Sequence, residues 1–332
     1  MQPLTHINTF DILKLLSDPR RMAVLRLLMS GPATLSQLSK TLGSYPSKTR
    51  HHVKQLEQAG LISLVETRVV GGYVEKYYQA TAQAFIINMA VLPEPPSGEM
   101  IIASGSHDLA LESLAQQMQA DRRVPDVYAL PVGSLDGLIA LRQGVCQIAG
   151  AHLIEADGSD FNRSTVRHLF PGQPMALLTL AYREQGLLVA PGNPHQIQAL
   201  TDLTRAGVRF VNRAQGTGTR LWLDRQMRRL GVATAVIQGY QTIAATHTQV
   251  AQTIAEGKAD VGLGVLAAAR KYNLDFIPLF EERYDLVLTK AATSDDLLLP
   301  LLDHLQTAVF RQTVAALDGY DATHTGEKQD VD

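Results

Sequence analysis

The spacing of apolar residues changes twice along this chain, near residue 61 and again near residue 100. Before residue 61 it is helical. Phe10, Ile12, Leu13, Leu15 and Leu16 predict a short helix ending at Ser17-Asp18-Pro19, where the proline also opens the next helix at its first position. Met22, Val24, Leu25, Leu27 and Leu28 form a second stripe closed by Gly31-Pro32. Thr34 is a cap for a third helix bearing Leu35, Leu38 and Leu42, and a fourth runs from the turn at residues 44–47 to Ala59, with Val53 and Leu56 inward. Residues 61–65 and 69–78 then read as two strands, with Gly71-Gly72 as a flexible or bulged section of the second. An apolar helix is expected over 81–92, too greasy to stand alone. Pro93-Glu94-Pro95-Pro96-Ser97-Gly98 has the composition of a linker.

Beyond residue 99 strands alternate with helices. Met100-Ile101-Ile102-Ala103, residues 126–130, 147–151, 187–190, 208–211 and 260–265 read as strands, several followed by small-residue turns and helical patterns. Phe276-Ile277-Pro278-Leu279 and residues 284–288 are further strands, and one amphipathic helix is expected over 297–317. Such units imply a mainly parallel sheet whose ligands sit at the carboxyl ends of strands. Residues 319–332 are polar and read as a disordered tail.

Charge sharpens the division. Overall it is −2, but residues 1–80 hold ten lysines and arginines against five acids, leaving the remainder acidic. A basic N-terminal module on an acidic body is the footprint of nucleic-acid binding. Ser47, Lys48, Thr49, Arg50, His51 and Lys54 cluster on the fourth helix, which fits a DNA major groove; Arg68 and Lys76 would flank it from the strand pair. His51 and His52 point to different faces, so joint chelation is not expected. The single Cys146 excludes an internal disulfide or a multi-cysteine metal site. No run reaches the ~20 apolar residues of a membrane span. The first turns lack a secretory pattern, so a cytoplasmic location is expected.

Leu16-Ser17-Asp18-Pro19-Arg20-Arg21, the residues around Ser47–Val53 and Leu56-Glu57-Gln58-Ala59-Gly60-Leu61-Ile62 resemble the ArsR-like winged helix-turn-helix regulators. The metal-sensing members carry cysteines on the third helix; here it reads Leu35-Ser36-Gln37-Leu38-Ser39-Lys40. The rest resembles the type II periplasmic-binding-protein fold, in its cytoplasmic form associated with molybdate and molybdopterin metabolism. Ser104-Gly105-Ser106-His107-Asp108, Gly133-Ser134-Leu135-Asp136-Gly137-Leu138, Gly150-Ala151-His152-Leu153, Gly192-Asn193-Pro194, Asn212-Arg213 with Gly216-Thr217-Gly218-Thr219-Arg220, Gly239-Tyr240, Thr246-His247 and Ala259-Asp260-Val261-Gly262-Leu263-Gly264 carry that resemblance. The fold class expected is α/β with an N-terminal winged helix-turn-helix (1–92, including a dimerisation helix), a linker (93–98) and a two-lobed binding domain (99–318).

The stretch 212–220 follows a strand and enters a helix, so its N–H groups and hydroxyls converge where the helix dipole favours an anion. It lacks the lysine of a nucleoside-triphosphate loop. The convergent groups expected in the cleft are Ser104, Ser106, Ser134, His152, Arg213, Thr217, Gly218, Thr219, Arg220, Thr246 and His247. Plainer roles compete. Gly216 and Gly218 suit a tight turn, Ser104 and Ser134 suit caps, Arg213 and Arg220 can pair with Asp224, and the histidines suit a core. The resemblance implies molybdate or tungstate as effector, a phosphate-bearing molybdenum-cofactor precursor being the alternative. No cofactor is expected. Asp108, Asp136, Asp260 and the two histidines show neither metal-ligand spacing nor a nucleophile motif, so the expected protein is not an enzyme but a homodimeric, ligand-responsive regulator of double-stranded DNA.

Overall fold

Side-chain caps set the helical frame of the N-terminal part. After β1 (Thr5–Ile7) and α1 (Phe10–Leu16), Asp18 accepts the Arg20 and Arg21 N–H groups at 2.8 and 3.4 Å, satisfying free donors at the start of α2 (Pro19–Ser30). β2 (Ala33–Thr34) leads to α3 (Leu35–Thr41), where Thr34 and Gln37 each bind the other's N–H. α4 (Pro46–Gln58) buries Val53 and Leu56 among Val24, Leu25, Leu28 and Leu38. β3 (Ile62–Val70) and β4 (Tyr73–Ala80) are antiparallel, and β2 joins the β4 edge. The computed structural model describes residues 5–7, 9–70, 72–87, 99–121, 123–155, 157–158 and 160–332, in two compact units, Met1–Pro93 and Glu94–Asp332.

Two expectations change in the first unit. Val69 belongs to β3, because Val70 pairs with Tyr73 and the hairpin turns between them, where Gly72 has φ of +83°; a glycine there is a turn rather than a bulge. In the expected helix 81–92, Phe85–Ile87 is instead β5, parallel to β1. A short run of an aromatic and two β-branched residues suits a strand, and hydrophobicity alone does not separate the two. Residues 88–92 and the linker 93–98 lie outside the described residues.

In the second unit, β6 (Met100–Gly105), α5 (Leu109–Ala120), β7 (Asp126–Pro131), α6 (Ser134–Arg142), β8 (Ile148–Ala151) and α7 (Arg163–Leu169) build one lobe. The long β9 (Met175–Val189) leads to the other, made of β10 (Phe210–Arg213), α8 (Gly218–Arg229), β11 (Ile243–Ala244), α9 (His247–Ala255), β12 (Val261–Val265) and α10 (Leu266–Lys271). β13 (Asp275–Thr289) returns antiparallel along the whole of β9, absorbing what the sequence showed as two strands. The sheet order is β11-β10-β12-β9-β13-β8-β6-β7. Within each lobe the first strand lies between its two parallel partners, so the chain order reverses at the carboxyl ends of β6 and β10. These are the switch points at which such sheets bind ligands.

The C-terminal part departs from expectation. The predicted single helix is broken at Thr307 into α11 (Leu299–Gln306) and α12 (Ala308–Ala315); the Thr307 hydroxyl caps α12 by accepting the Phe310 N–H at 3.1 Å. The tail 319–332 is ordered as β14 (Tyr320–Asp321) and β15 (Lys328–Val331), both antiparallel to β9. Its polar composition hid two anchors, Tyr320 and the fully buried Val331. β12 covers only Gln185–Val189 of that β9 edge, and the tail covers part of what is left open. Val331→Asp should therefore cost roughly 2 kcal/mol, the scale of exposing one buried aliphatic side chain, read as a lower urea midpoint; an unchanged midpoint would contradict the anchoring role.

Candidate functional site

The turn after β7 meets the loop after β10, the switch point of the second lobe. Leu135 N–H donates to Gly216 O at 3.3 Å, and a Cβ on Gly133 would lie 3.3 Å from the Gly216 carbonyl carbon. A Cβ on Gly218 would come within 2.6 Å of the His152 ring, so glycine is required for the loop after β10 to seat there.

Beneath this contact lies a buried charge network. Arg183 and Glu282 are cross-strand partners on β9 and β13. Arg183 Nε donates to Glu282 Oε1 at 2.7 Å and Nη1 to Asp108 Oδ2 at 2.5 Å. Its Nη2 lies 2.6 Å from Glu282 Oε1 but off the line of a hydrogen bond, a charge contact rather than a third bond. Glu282 Oε1 also accepts from Gln185 Nε2 at 2.6 Å, and Oε2 holds His152 Nδ1 at 2.7 Å. His152 Nε2 meets Ser106 Oγ at 2.8 Å, and Tyr320 donates to Asp108 Oδ2 at 2.8 Å. The Arg183 guanidinium also stacks on the Tyr284 ring, 4.6 Å from its centre. All these side chains are buried. Although burial raises the Glu282 pKa, the His152 and Arg183 charges outweigh it and hold the carboxyl down at about 2. Burial lowers the pKa of His152.

Arg213, at the end of β10, is different. It is 1% exposed, its Nη2 donates to Ala245 O at 3.0 Å, and Nε and Nη1 have no partner among the described residues. Burial, followed by the nearby Arg183 charge, lowers its pKa to about 9, which leaves it cationic at neutral pH. His247, at the first position of α9, is fully buried with neither ring nitrogen partnered among the described residues. Its pKa lies well below the ordinary value, through burial first and then the Arg213 charge. The His107 ring sits 5.9 Å from that of His247. Ser106, His107, Asp108 and Thr246 line a cavity of about 90 Å³.

The expected ligand residues therefore separate. Ser106, His152, Arg213, Thr219 and His247 belong to the buried cluster; Thr219 Oγ1 accepts from Gln185 Nε2 at 3.2 Å. Ser134 Oγ accepts the His152 N–H at 3.3 Å. Ser104 is buried within β6, and no side-chain bond joins it to this network among the described residues. Thr217 and Thr246 cap α8 and α9, accepting the N–H groups of Arg220 and Gln249. Arg220 is held structurally, with Nε 3.1 Å from Asp224 Oδ1, Nη1 on the Arg213 and Tyr240 carbonyls, and its guanidinium 4.0 Å from the Tyr240 ring centre. The sequence reading missed Arg183, Gln185, Glu282, Tyr284 and Tyr320. Its available signal was the polar run Arg183-Glu184-Gln185 inside an apolar strand, where alternate residues share a face.

In the first unit, Ser47, Lys48, Arg50, His51 and Lys54 are exposed along α4. Thr49 is not a candidate contact: it is 1% exposed, and its hydroxyl donates to Tyr45 O. Arg50, Lys54 and Lys76 share a groove with Glu57 and Glu75 between α4 and the hairpin. Arg68 is bonded to Glu66 at 2.6 and 2.8 Å. Tyr45, 74% exposed just before α4 and 6.0 Å from Lys48 Nζ, is an exposed aromatic beside the basic residues of α4 that the sequence reading passed over.

The buried histidines set a pH dependence. Their folded pKa values lie below the unfolded value, so on acidification only the unfolded chain takes up their protons; stability is full above about pH 6.5 and declines below it. The loss should approach about 1.4 kcal/mol per histidine per pH unit. Urea titrations at pH 7.5 and 5.5 should show it, with a smaller drop in His247→Asn; equal drops would remove His247 from the account.

Residues 18–63 match the bacterial regulatory protein, ArsR family model, and residues 115–306 match the PBP superfamily domain. The uncharacterized protein YvgK of Bacillus subtilis (strain 168) is 34% identical over 233 residues, 70% of this chain and 74% of that protein. An uncharacterized protein in the ferredoxin 2Fe-2S gene 5′ region of Clostridium pasteurianum is 36% identical over 106 residues, 32% of this chain and 94% of that protein. Among solved structures, the regulatory domain of HypT from Salmonella typhimurium (apo-form) aligns with a TM-score of 0.47 at 12% identity, over 68% of this chain and 99% of that one. No helix among the described residues is long and apolar enough to cross a membrane. The chain belongs to the PBP superfamily and carries an ArsR-family helix-turn-helix ahead of its PBP-like domain.

Proposed function

We propose that this protein is a cytoplasmic transcription regulator that reads double-stranded DNA with α4 and responds to an anion bound in the PBP-like domain. One observation carries the effector half: Arg213 is buried and cationic, with two of its nitrogens, Nε and Nη1, unpartnered and no carboxylate ion-paired to it among the described residues. A buried charge in that condition is costly unless an anion completes it. Molybdate and tungstate meet the charge requirement, and so does a larger organic anion such as a phosphate-bearing cofactor precursor. The DNA half rests on the ArsR-family match and the exposed basic residues of α4. A homodimer would present two such helices to two half-sites about one helical turn apart.

Two outcomes are expected. On a duplex selected from a random-sequence pool, Arg50→Ala should weaken binding and Lys48→Ala should lower the salt slope by about one, whereas Thr49→Val should change neither; unaltered binding in the first two would remove α4 as reader. For the effector, the thermal midpoint of the full chain should rise with one member of a panel holding molybdate, tungstate, sulfate, phosphate and organic acids, by about 2.7 kcal/mol of added stability at 100 times Kd. Arg213→Gln should abolish the shift and the ligand should be recovered unchanged. A full shift in Arg213→Gln contradicts the anion reading, and turnover of the ligand contradicts a purely sensory role for the domain.

A further inference from the structure

The atoms left unpartnered around Arg213 are not all donors, and their chemistry narrows the anion. Gln185 is fully buried on β9. Its amide nitrogen lies 2.6 Å from a carboxylate oxygen of Glu282 and 3.2 Å from Thr219 Oγ1, an orientation fixed by the fact that a carboxylate only accepts. Gln185 Oε1 is therefore an acceptor, and it has no partner among the described residues. His107 Nε2 lies 2.8 Å from Glu112 Oε1, so in a ring with a single proton that proton sits on Nε2, and Nδ1, unpartnered among the described residues, is a second acceptor. His247 is held neutral by burial and by the Arg213 charge; one ring nitrogen donates and the other accepts.

These groups lie close together. The His107 and His247 rings are 5.9 Å apart. Arg213 Nη2 bonds Ala245 O two residues before His247, and Gln185 bonds the Glu282 carboxylate whose charge also bears on Arg213. Arg213 is near enough for its charge to bear on His247, His152 and Glu282. The cluster thus offers two guanidinium donors and one imidazole donor together with three acceptors.

A bare oxyanion such as molybdate, tungstate or sulfate brings only acceptors. It would satisfy Arg213 and set oxygen lone pairs against Gln185 Oε1 and the two imidazole acceptors. We propose that the effector is an acid that also carries hydrogen-bond donors, a carboxylate or phosphate ester bearing hydroxyl or N–H groups, with its anionic oxygens on Arg213 and its donors on Gln185, His107 and His247. This rests on the anion reading of the same site. It differs from that reading in excluding the bare tetrahedral anions.

The test is a thermal-midpoint titration of the full chain with acids in matched pairs, each donor-bearing acid beside its donor-free analogue: glycerate with propionate, lactate with propionate, and glycerol 3-phosphate with propyl phosphate. Molybdate, tungstate and sulfate are included. A donor-bearing acid is expected to bind roughly ten- to a hundredfold more tightly than its analogue, because the analogue leaves buried acceptors unpaired. Gln185→Met should shrink that ratio while Arg213→Gln removes binding of both members. A shift with molybdate, tungstate or sulfate and with no donor-bearing acid would overturn the inference and leave the anion reading standing. Equal binding of paired acids would likewise overturn it alone, and a midpoint unmoved by every acid would overturn both.

Discussion

The neutralisation of one buried guanidinium organises the effector domain. Arg183 sits on the first of two long strands that run between the lobes, its carboxylate partner Glu282 sits opposite on the second, and Asp108 reaches it from the turn after β6. Removing one partner of such a pair typically costs about 3–5 kcal/mol, since the other charge is then stranded in a poorly solvating interior. The cost forces the three elements to meet in one register. Ser106, His152, Gln185 and Tyr320 attach to the same carboxylates directly or through His152, so the turn after β6, the segment after β8 and the C-terminal β14 are tied to that one arrangement.

Arg213 is the counterpart that the fold leaves incomplete. It stands at the carboxyl end of β10, the switch point of the second lobe, as Ser106 stands just beyond β6 in the first. Arg183 has two carboxylates; Arg213 has one carbonyl and two idle donors among the described residues. The domain thus pairs one buried cation with two carboxylates and gives the next none among the described residues, and the proposed ligand would supply that charge. Such a ligand stabilises the conformation in which those donors converge, and the difference in its affinity for two conformations is what a regulator transmits.

Much of the architecture was readable because it rests on local rules. Asp18 and Thr34 announce helix starts, glycine pairs announce turns, and repeated strand–turn–helix units announce two lobes. The expectations that failed had the wrong scale. Residues 85–87 are apolar enough for either element, and pairing with β1 decides for strand. The tail looked solvated, but Tyr320, Val331 and the buried Thr325, whose hydroxyl donates to Leu180 O, seat it on an open strand edge. Of the site, the turns were legible and the network was not. Thr217 and Arg220, conspicuous in the Gly/Thr loop, serve the helix and its packing, while Arg183 and Glu282 lie about a hundred residues apart and become partners only through strand register. The turns suggested hydroxyls and Arg213 around an anion; in the fold Thr217 and Thr246 cap helices, Arg213 keeps two unpartnered nitrogens, and Gln185 Oε1 is a bare acceptor that the sequence did not announce.

The central claim is that occupancy at Arg213 is coupled to DNA affinity. Fluorescence anisotropy of the full chain on its selected duplex, with and without a saturating acid that raises the thermal midpoint, measures that coupling directly. A change of about 5- to 150-fold, in either direction, is the usual range for such linkage, and it should vanish in Arg213→Gln. Identical DNA affinity with and without the bound acid would contradict the account.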